Sequence, residues 1–231
     1  MNDKRLHIAL IMDGNRRYAV KKGEPKVKGH EYGANTFSKI IEDAKKSNLI
    51  RELTFYTFSV QNFNRNQTEV DYIMKLFRKF LDKHISKLAK EDAKIKFLGR
   101  LELFPKDIQK KVKELEEKTK DKKEFQVNFC FGYGGREEII DASKKLAEDV
   151  KEGKINPEDI DESLFENYLY TNHNPDIIIR TGGNIRTSNF LLWQTIYSEW
   201  FFLDKLWPEM TFGDIKDCID QFNSRERRFG K

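Results

Sequence analysis

Short apolar runs alternate with amphipathic segments along the whole chain. The first run, Ile8–Met12, is apolar without strict alternation, which is typical of a strand buried on both faces of a parallel sheet. Further strands are predicted at Leu53–Phe58, Ile95–Gly99, Phe125–Phe131 and Asp176–Thr181. Strands and helices alternate without a linker or repeat. Residues 1–231 are therefore predicted to form a single α/β domain with a central, mainly parallel β-sheet flanked by helices.

Apolar positions at helical spacing separate these strands. Helices are predicted over Gly29–Ser47, Thr68 to about Ala89, Pro105 to about Lys120, the glycine-rich turn after Phe131 to about Val150, and from about Phe212 onward. Thr68 is expected to cap the second of these helices. The aromatic run Trp193–Phe202 is assigned neither helix nor strand.

Composition narrows the class of protein. Charged residues make up 35% of the 231 residues and hydrophobic residues 38%, with a formal net charge of +5, so the chain is expected to fold and to tolerate an anionic ligand. No apolar run approaches the ~18 residues of a membrane span, and the start leaves no room for a signal peptide, so we expect a cytoplasmic protein. Cys130 and Cys218 lack metal-ligand spacing and are expected to be buried free thiols.

Polar loops follow three of the predicted strands. They are Asp13–Arg17, Ser59–Arg65 and Arg180–Ser188, and a parallel sheet would gather all three at one edge. Their arginines exceed the need of one monophosphate and suit two diphosphate groups. Asp13 then has two interpretations. It is either an ion-pair partner or, beside a diphosphate, a ligand of bridging Mg²⁺.

Less specific interpretations stay open at this point. Asp13-Gly14-Asn15 alone could be a polar turn after a core strand. The segment Gly132–Arg136 lacks the G-x-G-x-x-G spacing of a dinucleotide site, so a tight strand-to-helix turn is favoured. Another phosphate-binding α/β enzyme would explain the loops, but the chain has no G-x-x-x-x-G-K-[S/T] motif. A nucleic-acid-binding module would explain the charge, yet the basic residues are mixed with acids along the helices.

Several segments resemble the cis-prenyltransferases, most closely the bacterial undecaprenyl diphosphate synthases. They are His7–Tyr18, Ser59–Arg65, Arg180–Glu199 and the Arg-Glu-Arg-Arg-Phe-Gly end, and the similarity runs in register over nearly the whole chain. The resemblance implies a homodimeric α/β fold with a hydrophobic tunnel. It also implies Mg²⁺-dependent condensation of isopentenyl diphosphate onto farnesyl diphosphate, with new cis double bonds. The product would be a polyprenyl diphosphate of undecaprenyl length, a membrane lipid, which implies peripheral contact with the inner face of the membrane. No nucleic-acid partner is expected.

The resemblance also implies roles for individual residues. Asp13 would be catalytic and would hold Mg²⁺ with Glu199. Asn62 occupies the position to which the family assigns proton acceptance, but a neutral amide is a poor base, so we expect it to orient a water, a diphosphate oxygen or Asp13. The allylic diphosphate would bind Gly14, Asn15, Arg16, Arg17, Tyr18, Lys26 and His30. The reacting end would be lined by Ser59, Val60, Gln61, Phe63 and Arg65. Isopentenyl diphosphate would bind Arg180, Arg186, Thr187 and Ser188.

The chain departs from the family pattern at several positions. Arg16 stands where Gly is usual and adds a charge, whereas Tyr18, Lys26 and Phe63 keep the aromatic or cationic character of the usual Trp, Arg and Trp. Asn184 replaces a usual Glu, and Ile185, where some members carry His, cannot contact a metal. His30 could equally be a capping or core histidine. The C-terminal Arg228-Phe229-Gly230 resembles a tail that reaches substrate in the partner subunit.

Overall fold

The computed structural model describes residues 4–85 and 92–225 of the chain. Within them, six strands form: β1 Leu6–Ile11, β2 Ile50–Ser59, β3 Lys94–Leu98, β4 Gln126–Tyr133, β5 Ile177–Arg180 and β6 Glu199–Phe202. Seven α-helices accompany them: α1 Asn15–Lys21, α2 Gly29–Ser47, α3 Gln67–Phe80, α4 Lys106–Thr119, α5 Gly135–Lys151, α6 Glu162–Glu166 and α7 Phe212–Ser224. The predicted single-domain α/β class is confirmed in its central parallel sheet and flanking helices.

All six strands join one sheet in the order β3-β4-β2-β1-β5-β6, and every neighbouring pair is parallel. The chain leaves β1 for β2 on one side and later forms β5 on the other side, so the strand order reverses between β1 and β5. Open α/β sheets bind ligands beyond the carboxyl ends of their strands at such a point. The fold therefore directs attention to the loops after β1 and β5.

Two cores cover the two faces of the sheet. Ile8 and Leu10 of β1 contribute to the larger core, which also receives the apolar stripes of α2, α3, α4 and α7. Ala9 and Ile11 point to the opposite face and pack in a smaller core with Phe190. Because successive strand residues alternate between faces, β1 is buried on both sides, as its unbroken apolar run predicts.

The structure differs from the sequence prediction at the start of α3. Thr68 is not the N-cap of α3. That position is occupied by Asn66, whose side-chain oxygen accepts a hydrogen bond of 2.9 Å from the backbone N–H of Thr68. β6 lies inside the aromatic run Trp193–Phe202, for which the sequence predicts neither a helix nor a strand. The end of the helix predicted to extend to Ala89 lies outside the described residues, and so does the Arg228-Phe229-Gly230 tail.

Cys130 and Cys218 are both buried free thiols, as predicted. In residues 4–85 and 92–225, no helix is long and apolar enough to cross a membrane.

Candidate active site

Asp13 and Arg180 meet beyond the carboxyl ends of β1 and β5, at the place here called the switch-point crevice. One carboxylate oxygen of Asp13 accepts hydrogen bonds of 2.9 Å from Arg180 Nη2 and of 2.9 Å from Asn184 Nδ2. The other oxygen accepts a longer bond of 3.3 Å from Arg17 Nη2. The loops after β1 and β5, 167 residues apart in sequence, thus meet at one carboxylate, as the sequence predicts.

The backbone after β1 is held by neighbouring elements. The carbonyl of Asp13 accepts hydrogen bonds from Trp207 N at 3.0 Å and from Thr181 Oγ1 at 2.7 Å. Gly14 then takes φ = 107°, in the left-handed region, and a Cβ there would lie 2.8 Å from Leu206 Cδ2. A side chain at this position would therefore be strained in its backbone and crowded by Leu206. Glycine lets α1 begin directly beside the crevice.

Arg180 is buried, with only 3% of its surface exposed. Its Nη1 donates to the carbonyl of Arg186 at 2.7 Å and to Ser188 Oγ at 2.6 Å, while Nη2 donates to Asp13. Its Nε is buried and has no partner among the described residues. A buried donor without a partner is costly, so this N–H is suited to an anionic ligand.

The electrostatics keep Asp13 ionised. Burial alone would raise the pKa of this carboxyl, but the hydrogen bonds from Asn184 and Arg180 and the nearby arginine charges lower it below its usual value. An ionised carboxylate is the group that Mg²⁺ requires. The described residues contain no group of three or more His, Cys, Asp or Glu side chains that could form a metal cage. Asp13 therefore fits an ion that is bound jointly by one carboxylate and substrate phosphates.

A second cationic group lies at the start of α3. Glu69 pairs with Arg65 Nη1 at 3.0 Å and with Arg16 Nη1 at 3.7 Å. Burial lowers the pKa of neighbouring His30 to about 4, and the charge of Arg65 acts in the same direction, so the ring is neutral near pH 7. Its Nε2 is buried without a partner in the described part of the chain. Arg16, Arg65 and His30, predicted as site residues, thus lie together.

An apolar cavity opens beside this group. Its volume is about 120 Å³, and His30 and Asn15 supply polar atoms to its wall. Asn15 Oδ1 is another buried atom without a partner in the residues described. The remaining wall is mainly apolar and comes from Met12, Gly33, Ala34, Phe37, Thr57, Phe58, Ile73, Leu76, Phe77, Phe80, Phe131 and Trp207. A few polar atoms in a mainly apolar, aromatic wall suit an amphiphilic ligand.

The loop after β2 forms a 3-10 helix, Val60–Asn64. Asn62 Oδ1 accepts a hydrogen bond of 3.0 Å from the backbone N–H of Ser59, so the predicted orienting role of Asn62 would fall to its NH₂ group. Phe63 packs on Phe58 and Phe104, with ring centroids 4.9 and 5.2 Å away. Gln61 is exposed and donates to Glu137 on α5 at 3.0 Å.

Other predicted residues lie at the edges of the site. Arg186, Thr187 and Ser188 are exposed on the loop after β5. Lys26 is exposed in a short 3-10 helix, and Tyr18 packs edge-on against Tyr32 with ring centroids 5.2 Å apart. The direct role of Tyr18 towards a ligand stays a prediction.

The two carboxylates predicted to hold the metal are separated within one chain. Glu199 pairs in register with Ile177 at the amino end of β5, whereas Asp13 lies beyond the carboxyl end of β1. Three strand residues separate the level of Glu199 from that of Arg180, or roughly 10 Å at 3.3 Å per residue. Glu199 instead pairs with Arg225 at 2.5 Å. Its predicted metal contact is therefore not supported within a single chain.

Sequence reasoning missed three residues of the site. Asn184 was noted only as a departure from the family pattern, yet it donates to Asp13. Glu69 joins two arginines, and its position in the first turn of α3, four residues after Arg65, could have suggested one of these pairs. Trp207 lines the cavity and donates from Nε1 to the carbonyl of Gly33 at 2.9 Å.

Taken together, the switch-point crevice, the arginines and the adjoining apolar cavity define an α/β protein suited to an anionic ligand with a hydrocarbon chain. Comparison with known proteins gives the family. The prenyltransferase family model described as undecaprenyl diphosphate synthase matches residues 11–230. The chain therefore belongs to this family and is a prenyltransferase.

Individual relatives are similar to this chain over nearly its whole length. An isoprenyl transferase of Prochlorococcus marinus is 45% identical over 226 residues, covering 97% of this chain and 83% of the relative. A Methanocaldococcus jannaschii protein named tritrans,polycis-undecaprenyl-diphosphate synthase (geranylgeranyl-diphosphate specific) is 44% identical over 231 residues, covering 97% and 82%. Lavandulyl diphosphate synthase from Lavandula x intermedia, solved with dimethylallyl diphosphate, aligns over 100% of both chains at 34% identity and a TM-score of 0.94.

Proposed function

We propose that this prenyltransferase condenses isopentenyl diphosphate onto farnesyl diphosphate in a Mg²⁺-dependent reaction and makes a long polyprenyl diphosphate of undecaprenyl length. The observation that carries the proposal is the apolar cavity beside the arginine-lined crevice. An allylic diphosphate has a charged head and a hydrocarbon tail. The head would bind among the arginines, and the tail would enter the apolar cavity.

The head of the allylic substrate would lie against the first turn of α1 and the group of Arg16, Arg65 and His30 beside the cavity. No side chain caps α1, so its first amides remain available to a phosphate oxygen. Arg16 and Arg65 supply positive charge, and neutral His30 offers an unpartnered Nε2. The tail would enter the cavity, where the aromatic wall excludes water.

Isopentenyl diphosphate would bind on the β5 side of the crevice. The unpartnered Nε of Arg180 points to an anion there, and exposed Arg186, Thr187 and Ser188 extend the polar surface. Condensation breaks the allylic carbon–oxygen bond, forms a carbon–carbon bond and releases a diphosphate and a proton. The chain orients the two substrates towards each other from the β1 and β5 sides.

Asp13 would hold Mg²⁺ together with phosphate oxygens of the substrates. When bound, the ion stabilises negative charge on the departing diphosphate. Arg180 and Asn184 keep the carboxylate ionised and oriented before the ion arrives.

The proposal also covers the allylic primer and the length of the product. The cavity of about 120 Å³ is smaller than a cavity of ~150 Å³ that holds benzene. A long chain therefore requires movement of wall residues such as Ile73 and Phe77 of α3. One relative is named as geranylgeranyl-diphosphate specific and one solved structure holds dimethylallyl diphosphate, so the primer must be tested directly.

The test is incubation with labelled isopentenyl diphosphate, Mg²⁺ and one primer at a time: dimethylallyl, farnesyl or geranylgeranyl diphosphate. Chain-length analysis should show long products, with the highest kcat/KM for farnesyl diphosphate. Reactions with EDTA serve as the metal control. A clear preference for geranylgeranyl diphosphate would overturn the primer assignment, and absence of any polyprenyl product would overturn the function.

Oligomeric state forms a further part of the proposal. The segment after β5 exposes apolar side chains at Ile185, Leu192, Ile196 and Tyr197. Exposed apolar side chains close together in sequence are typical of protein–protein contacts, so a homodimer is expected. Light scattering at assay concentration should give twice the chain mass, and a fully active monomer would contradict this.

The proposed product also bears on membrane contact. A polyprenyl diphosphate is a membrane lipid, so peripheral contact with a bilayer surface is expected during product release. Co-sedimentation with anionic vesicles, with and without both substrates, tests this point, and binding in neither condition would remove it.

A further inference from the structure

The glycine-rich turn after β4 allows another loop to approach closely. A Cβ on Gly134 would lie 2.1 Å from Glu137 Oε2, and one on Gly135 would lie 2.7 Å from Leu192 Cγ. No side chain could occupy either position without displacing its neighbour. The segment is therefore a strand-to-helix turn, as favoured from the sequence, and it also receives the turn formed by residues 188–192.

That approaching turn has an unfavourable backbone. Ser188, Asn189 and Leu191 have φ values of 52°, 63° and 44°, all in the left-handed region. Such conformations cost non-glycine residues roughly 1 kcal/mol or more each and persist only where surrounding contacts hold them. The turn carries Ser188, a predicted ligand of isopentenyl diphosphate, so the contacts that hold it matter for the site.

Asn189 and Glu137 supply several of those contacts, and Tyr56 Oη donates a further hydrogen bond of 3.2 Å to the carbonyl of Ser188. The backbone carbonyl of Asn189 accepts from Gly135 N at 2.8 Å, and its side-chain oxygen accepts from Arg136 N at 2.9 Å, so it caps the start of α5 from a distant part of the chain. Its Nδ2 donates to Glu137 Oε2 at 2.9 Å. We call the Glu137–Asn189 pair the clamp.

The clamp also reaches the loop after β2. Glu137 Oε1 accepts a hydrogen bond of 3.0 Å from Gln61 Nε2. One carboxylate thus joins two loops that the proposed function assigns to different substrates. Further hydrogen bonds connect the clamped turn to Asp13. Ser188 Oγ accepts a hydrogen bond of 2.6 Å from Arg180 Nη1, and Arg180 Nη2 donates to Asp13.

We propose that Glu137 is a positioning residue for the isopentenyl side of the active site. It fixes the Ser188–Leu191 turn through Asn189 and sets the distance between that turn and the Gln61 loop. The proposal rests on the proposed function for its kinetic consequence, but the positioning itself is a property of the unliganded protein.

Three variants separate the contacts. Glu137→Ala removes both side-chain hydrogen bonds, and Glu137→Gln keeps one acceptor for two donors. Asn189→Gly removes the clamp while tolerating the positive φ. Glu148→Ala, about three turns further along α5 and exposed, is the matched control.

Kinetics give the first readout. Glu137→Ala and Asn189→Gly should each raise the KM for isopentenyl diphosphate roughly tenfold, the loss expected for one hydrogen bond to a charged group, while affinity for the allylic primer stays within about twofold. Glu137→Gln should lie between these variants and the parent, and Glu148→Ala should match the parent. An unchanged KM, or an equal loss for both substrates, would overturn the proposal.

Hydrogen exchange in the unliganded protein gives a readout independent of activity. Glu137→Ala should accelerate exchange of the Arg136 and Phe190 amides, which bond to Asn189 Oδ1 and to the carbonyl of Thr187. Parent-like exchange at both amides would overturn the clamp even if activity changed. If the parent condensed no substrates, the proposed function would fail, and hydrogen exchange alone would decide the clamp.

Discussion

Two partly buried polar groups lie at opposite ends of the strands of the sheet, and they differ in how completely their atoms are paired. The first is the crevice, centred on Asp13 and Arg180 beyond the carboxyl ends of β1 and β5. The second, here called the Glu52 cluster, comprises His7, Glu52, Thr54, Asn128 and His173 and lies towards the amino ends of the strands.

Most polar atoms of the Glu52 cluster are paired with one another. Glu52 is 2% exposed, and its carboxylate accepts hydrogen bonds from Asn128 Nδ2 at 2.6 Å and pairs with His173 Nδ1 at 2.9 Å. His7 Nε2 lies 2.8 Å from Thr54 Oγ1. Burial alone would raise the pKa of Glu52, but the hydrogen bond from His173 and the other partners bring it to about 2.

The crevice and the cavity wall keep buried polar atoms that have no partner among the described residues. These are Arg180 Nε, Asn15 Oδ1 and His30 Nε2, whereas the only such atom in the Glu52 cluster, among the described residues, is His7 Nδ1. Unpaired buried groups are costly, and Asn15 and His30 line the cavity, so their unpaired atoms mark a place that a ligand completes. Charge and partial burial occur in both groups, and it is the larger number of unpaired buried atoms, three against one, that distinguishes the candidate site from the Glu52 cluster.

The largest expected effect is on catalysis at Asp13. Asp13→Ala should lower the turnover number by a factor of about 10³, equivalent to roughly 4 kcal/mol, because it removes the proposed metal ligand that acts on the transition state. Farnesyl diphosphate affinity should change little. Calorimetric affinity and single-turnover rates, each with and without Mg²⁺, measure the two quantities.

Two controls sharpen this prediction. Asp13→Asn keeps an oxygen for Arg180 and should lose rate with a smaller fall in Tm than Asp13→Ala. Glu52→Gln should lower Tm and leave the Mg²⁺-stimulated rate near that of the parent. A parent-like, Mg²⁺-stimulated rate in Asp13→Ala would mean that Asp13 does not bear the metal.

The second effect is on stability in acid. Burial lowers the pKa of His7 to about 4, against 6.5 for an exposed histidine. Between pH 6.5 and 4 the unfolded chain therefore binds a proton that the folded chain does not. The stability that neutral His7 contributes should be fully present above pH 6.5 and fall by about 3 kcal/mol towards pH 4.

Urea unfolding at pH 7, 5.5 and 4.5 measures this fall. His7→Gln should show a shallower loss than the parent, and the loss that remains would include the share of His30, whose pKa is also lowered to about 4. Below pH 4.5 the loss should continue in both proteins, because Glu52 with its pKa of about 2 resists the protonation that the unfolded state accepts. Identical pH profiles would contradict the role of His7.

The smallest effect is on substrate binding at Arg186. Arg180 and Arg186 are both predicted to bind isopentenyl diphosphate, but removal of buried Arg180 would also leave Asp13 without its main partner. Arg186→Ala is the cleaner test, since its guanidinium is exposed. It should raise the KM for isopentenyl diphosphate roughly ten- to a hundred-fold, and equal losses for both substrates would refute the assignment.

The sequence predicted the elements that local patterns encode. β1 was clear because an apolar run ends abruptly at Asp13, and α2 because its stripe is regular. β6 was missed because its four residues lie inside a longer aromatic run without alternation. Thr68 was mistaken for a cap because Asn66, two residues earlier, is an equally good capping residue.

Contacts between distant residues could not be predicted in the same way. Asn184 and Asp13 are 171 positions apart, and His173 and Glu52 are 121 apart, so no local pattern reveals either hydrogen bond. The three strand-end loops were expected to meet because parallel strands share an edge. Which atoms remain unpaired there depends on packing, which a one-dimensional pattern does not contain.

Trp207 gives the protein an intrinsic optical probe. Of the three tryptophans in the chain, this one is 1% exposed and lines the cavity, while Trp193 and Trp200 are half-buried. Its indole is already fixed by a hydrogen bond to Gly33, so entry of a hydrocarbon chain would change the surroundings of the ring more than its orientation. Emission from this residue could therefore follow cavity filling in real time, without a label on the protein or the substrate.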